Sequence, residues 1–123
     1  MKVHHKHLHL ARRKISHILD EIYTALLHYG SVEVDMRIVR EKEGLRLHVS
    51  GDFHEEYLEE IERMGRLLQP AVRSAAMVEE YWELAGEDLY TSESEMALVG
   101  QMADGASLVI DDGRVVIELY VAY

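Results

Sequence analysis

LHLARRKISHILDEIYTALLHYG, residues 8–30, decides the fold. Apolar or small side chains recur at Leu8, Ala11, Ile15, Ile18, Ile22, Ala25 and Tyr29, at spacings that alternate three and four. That period draws one apolar stripe along a helix. Leu19 and Leu26 widen the stripe into a core-facing surface. Gly30 supplies the stop, because glycine adopts the left-handed conformation that helix ends use.

Downstream the period changes from 3.6 to 2. Val32, Val34, Met36 and Ile38 alternate with Glu33, Asp35 and Arg37, which predicts a half-buried strand. Glu41-Lys42-Glu43-Gly44 reads as a polar turn, and Leu45, Leu47 and Val49 continue as a second strand. So short a connection predicts an antiparallel hairpin. One face of both strands is polar, which puts helices on one side of the sheet only.

Ser50-Gly51-Asp52 leads toward a second helical pattern with a stripe of Tyr57, Ile61, Met64 and Leu68, flanked by Leu58 and Leu67. Pro70 breaks it, since proline lacks an N–H and its ring crowds the preceding turn. The pattern resumes from Val72 through Tyr81, Trp82 and Ala85 to Gly86, predicting a split helix pair. Ser92 and Glu95 have capping-box spacing ahead of a short helix burying Met96, Val99 or Leu98, and Met102. Asp112-Gly113 is a hairpin signal between Ala106–Ile110 and a last strand whose inward side chains are Val115, Ile117, Leu119 and Val121. The element order is α-β-β-α-α-α-β-β. It predicts a two-layer α/β sandwich, with a four-stranded mixed or antiparallel sheet and helices on one face.

A chain of 123 residues is one domain's worth, here residues 8–123 behind a frayed basic, histidine-rich stretch at 1–7. It contains no cysteine, which excludes disulfides and thiolate metal sites. Neither a membrane-span-length apolar run nor a secretory h-region is present, so the expected location is the cytoplasm. The net charge of −10 is unevenly spread: residues 1–17 carry +5 and the remainder −15. An acidic body argues against a nucleic-acid partner. The basic start suits an acidic protein or a second copy, and Leu8 and Leu10 on the first helical turns are free for a homodimer contact.

Five of the eight histidines, His4, His5, His7, His9 and His17, crowd the N-terminal end. His5 and His9 have the i, i+4 spacing that lets two imidazoles share a metal on a helix, but no third ligand is identifiable. A solvated terminus is the preferred reading. Glu21 stands out among the carboxylates, on the first helix beside His17 and near His28.

The order of elements and three local segments resemble the histidine-kinase and gyrase-type (GHKL, or Bergerat) ATPase fold, nearest to its anti-sigma-factor-like members. EIYTALLHYG, residues 21–30, resembles the N-box helix, with Glu21 and Gly30 in register. LRLHVSGD, residues 45–52, resembles the strand before the adenine-binding Asp-x-Gly-x-Gly. MALVGQMADGASLVIDDGRVVIELYV, residues 96–121, resembles the closing helix and hairpin. In that family the position of Glu21 is the general base, and the asparagine four residues later holds magnesium.

Against this pattern, Ala25 stands where the asparagine belongs, and a methyl group cannot ligate a hard cation. The adenine-binding aspartate falls on Gly51, with Asp52 adjacent. Phe53, Glu55 and Glu56 replace the glycines that follow it. SESEMAL, residues 92–98, replaces the glycine-rich phosphate cradle and brings two glutamates to that region. The resemblance therefore implies a degenerate, non-catalytic protein-binding or regulatory module of a bacterial system, with no cofactor expected. Its alternative is a divergent ATP-binding serine kinase using Glu21, Asp52 and Mg-ATP. A second alternative is a small metal-binding protein acting through the N-terminal histidines.

Overall fold

The computed structural model describes residues 2–68 and 92–123, with side chains for 7–68 and 95–123. The helical segment expected beyond Pro70, with Tyr81 and Trp82, lies outside the described residues. Helix α1 spans Lys2–His28. Strands β1 (Val34–Arg40) and β2 (Gly44–Asp52) follow, then a 3-10 turn at Glu55–Tyr57 that runs into α2 (Leu58–Leu67). Helix α3 (Ser92–Met102), β3 (Gly105–Asp111) and β4 (Arg114–Ala122) complete the order.

The four strands form one antiparallel sheet in the order β1-β2-β4-β3. Leu47 of β2 sits opposite both Ile38 of β1 and Leu119 of β4, so the inward rows of the central strands are continuous. Leu45, Leu47 and Val49 of β2 and Val115, Ile117, Leu119 and Val121 of β4 are all buried. The described helices pack on this face, giving the two-layer α/β sandwich that the periodicities require. Helix α1 contacts β2 and β4, α2 contacts β3, and α3 packs on both α1 and α2. Ile15, Ile18, Ile22 and Leu26 of α1 meet Ile61 and Met64 of α2 and Val99 of α3 in a single core. Removing that apolar surface from water is the main stabilising term.

The end of α1 shows how local sequence sets the entry into the sheet. Gly30 takes φ +90. Its N–H reaches the Leu27 carbonyl at 3.1 Å, and the Ser31 N–H reaches the Leu26 carbonyl at 3.0 Å. This pair of bonds is the Schellman closure of a helix C-terminus. At the other hairpin, Asp112 (φ 47) and Gly113 (φ 77) both take positive φ, the geometry of a type I′ turn.

Four expectations need correction. Strand β1 begins at Val34, not Val32; the backbone N–H groups of Val32 and Glu33 bond to the Asp52 side chain instead of a ladder, and Val32 is 88% exposed. Ile38 does point to the helical side, opposite the buried Leu47, but β1 is an edge strand and Ile38 is half exposed. Strand β2 runs on through Gly51 and Asp52, which pair with Val115 and Arg114 of β4 in place of opening a helix. Leu8, expected to be free for a partner, packs partly buried against the core, whereas Leu10 is exposed.

The outer sheet face carries paired charges beside the exposed Val109 and Val116. Arg46 is gripped by Glu41 through Nε (2.9 Å) and Nη2 (3.2 Å), and by Glu118 through Nη1 (2.9 Å). Its guanidinium also lies 4.9 Å over the Tyr120 ring. Arg114 Nη2 contacts Asp35 Oδ2 at 3.4 Å and Ser50 Oγ at 3.3 Å. Among the described residues no helix is long and apolar enough to cross a membrane.

Candidate functional site

Two neighbouring hollows, the lobes of a shallow cleft, lie among the described helices and share Tyr29 and Met96 in their walls. One lobe, about 230 Å³, is lined by Glu21, Thr24, Ala25, His28 and Tyr29 of α1 and its end, with Glu95 and Met96 of α3. The other, about 240 Å³, is lined by Glu59, Glu60, Arg63, Met64 and Leu67 of α2, with the same Tyr29 and Met96. Tyr29 is buried at the junction, its ring 5.6 Å from Tyr57 and 5.5 Å from His28. This aromatic group ties the end of α1 to the turn that launches α2.

At the first lobe the α1 periodicity sets the chemistry. Glu21, Thr24 and His28 follow each other at spacings of three and four, and so share the side of α1 that faces α3. His17 is one turn before Glu21 on the same side. Glu95 projects from the first turn of α3 to meet them. One ligand-type atom from each of His17, Glu21 and Glu95 lies within 4.8 Å of the other two. Burial pushes the Glu95 carboxyl above its ordinary range, and the neighbouring Glu21 charge and hydrogen bond push it further; His17 acts in the opposite sense. Desolvation and a like charge both disfavour the anion, so the signs agree with the geometry.

The residues singled out by resemblance separate into two groups. Glu21 and Ala25 both line the first lobe. Ala25 is buried and presents only a methyl group where the resemblance requires an oxygen ligand. Gly51 and Asp52 are not among the described residues lining either lobe. The Asp52 carboxylate instead accepts the backbone N–H groups of Val32 (2.9 Å) and Glu33 (3.0 Å). The Glu33 amide bond is the largest cause holding this carboxyl below its ordinary range, with the Val32 amide and the Arg114 charge adding to it. Gly51 is packed against the same loop: a Cβ there would stand 3.3 Å from the Glu33 carbonyl and from Ser31 Oγ. His9 is exposed on α1, four residues after His5 on the same helix.

Sequence reasoning marked Glu21 and noted His17 beside it, and the i, i+4 spacing of the two was the available signal. It did not join Glu95 to them, because that contact crosses between helices far apart in the chain. Nor did it find the role of Asp52, whose acceptor geometry depends on how the loop after α1 turns back on the end of β2.

Comparison of the chain with protein-family models, with curated proteins and with solved structures returned no match in any of the three.

Proposed function

We propose that this protein is a non-catalytic protein-binding module, built on a sandwich resembling the histidine-kinase-like ATPase fold and serving a regulatory role. The observation that carries this reading is the charge of the cleft. Its described walls carry Glu21, Glu95, Glu59 and Glu60 against a single arginine, Arg63, so carboxylates outnumber cations around the space proposed for a nucleotide. Phosphates placed beside carboxylates in a partly desolvated cleft suffer like-charge repulsion. Ala25 offers no oxygen to a magnesium ion that would offset it. Asp52, the nearest available adenine acceptor by sequence, has its carboxylate engaged by two loop amides.

Support for a macromolecular partner comes from the opposite side of α1. Tyr23 (43% exposed) and Leu27 (51%) lie one turn apart, away from α3. The apolar Ile38 on the helix-bearing side of β1 is likewise uncovered. Exposed aromatic and aliphatic side chains one turn apart, such as Tyr23 and Leu27, are what protein interfaces are built from. The test is affinity capture with the wild-type chain and with a Tyr23→Asp/Leu27→Asp variant whose fold is verified by circular dichroism. A specific partner retained by the first and lost by the second is expected. Identical recovery with both, or recovery of none, counts against this reading.

A further inference from the structure

We propose that His17, Glu21 and Glu95 bind one divalent transition-metal cation, which clasps the first turn of α3 to the middle of α1. This inference does not depend on whether a protein partner binds elsewhere. His17 and Glu21 are four residues apart on one continuous helix, so their side chains leave it in the same direction. Glu95 enters from the facing helix, and all three ligand atoms are mutually within 4.8 Å. Ligands of a tetrahedral zinc ion at its usual bond lengths lie about 3.3 Å apart. The clasp thus closes through small side-chain rotations, without moving either helix.

The donor set indicates which cation. One imidazole with two carboxylates suits zinc, cobalt, manganese or iron(II), whereas calcium and magnesium take oxygen alone. The set is also charge-matched: two adjacent carboxylates that repel each other become favourable once a dication lies between them. Three protein ligands leave at least one coordination position for water. The site is distinct from the His5/His9 pair, which lies two or more turns nearer the N-terminus.

The test is calorimetric titration of the chelator-treated full chain with Zn²⁺, repeated with Co²⁺ to read visible absorption of the bound ion. Wild type is compared with Glu95→Gln, with His17→Ala at an exposed helix position, and with His5→Ala/His9→Ala. One site is expected, weakened by about tenfold or more in the first two variants, since loss of a direct ligand should cost at least as much as loss of a supporting hydrogen bond. The double-histidine variant should keep it. Folding is followed by the metal-free thermal midpoint; His17→Ala keeps the test decisive should Glu95→Gln fold poorly. Wild-type-like affinity in both single variants, affinity lost only with His5 and His9, or no saturable binding to wild type would each overturn the site.

Discussion

Asp52 Oδ1 accepts the Glu33 backbone N–H at 3.0 Å, and this bond seats the loop after α1 on the end of β2. The Ser31 hydroxyl reinforces it by donating to the Asp52 carbonyl at 2.5 Å. A carboxylate acting on backbone amides here fixes the angle between the organising helix and the sheet. Asp52→Ala should therefore lower the thermal midpoint at neutral pH and raise amide exchange at Val32 and Glu33, measured by hydrogen exchange. Asp52→Asn should retain part of the effect, because its side-chain carbonyl still accepts.

The same bond sets a pH dependence. The folded state holds Asp52 below its ordinary value of 3.8, and Arg46 holds Glu41 below 4.5. Depressed carboxyls contribute stability that is present above those ordinary values and lost as pH falls through the folded ones. Stability followed by thermal melts should thus decline below about pH 4.5, and Asp52→Asn should flatten that decline.

Leu47 lies at the centre of the sheet, fully buried between Ile38 and Leu119. Leu47→Ala should cost about 2–5 kcal/mol in denaturant unfolding, the range for a core leucine that leaves a cavity. A loss well below this would mean that the helices do not seal the sheet.

Gly44 begins β2 against the opposite edge of Tyr120. A Cβ there would stand 2.6 Å from the Tyr120 ring and 2.6 Å from the Val121 carbonyl oxygen. The ring can rotate away, but the backbone carbonyl cannot. Gly44→Ala should destabilise by about 1–3 kcal/mol, as overpacking does. The double variant Gly44→Ala/Tyr120→Ala should recover only part of that loss, because the carbonyl contact remains.

Arg46 is held by two carboxylates on an exposed face, so its contribution is sensitive to screening. Arg46→Met should destabilise at low salt and approach wild type as salt rises. Arg46→Lys should behave similarly, because an ammonium cannot reproduce the two-pronged grip on Glu41.

The parts of the fold legible in the sequence were those set by short-range rules. The three-four stripe gave α1 its buried face, Gly30 its end, and Asp112-Gly113 the final hairpin. Alternation placed Val115, Ile117, Leu119 and Val121 inward. Periodicity could not say how far each helix reaches across the sheet, which is why Ile38 emerged uncovered. It also could not foresee that a side chain, Asp52, would replace ladder partners for Val32 and Glu33. At the cleft, Glu21 and His17 were visible as neighbours on one helix, but Glu95 joins them only through the packing of α3 on α1.

The cleft of this sandwich is expected to exclude nucleotide. Calorimetric titration of the full chain with ATP in excess Mg²⁺, paired with thermal melts at the same concentrations, tests it most directly. No heat of binding and no change in midpoint is the expected result. Saturable binding with stabilisation, about 2.7 kcal/mol at 100 times the dissociation constant, would contradict it.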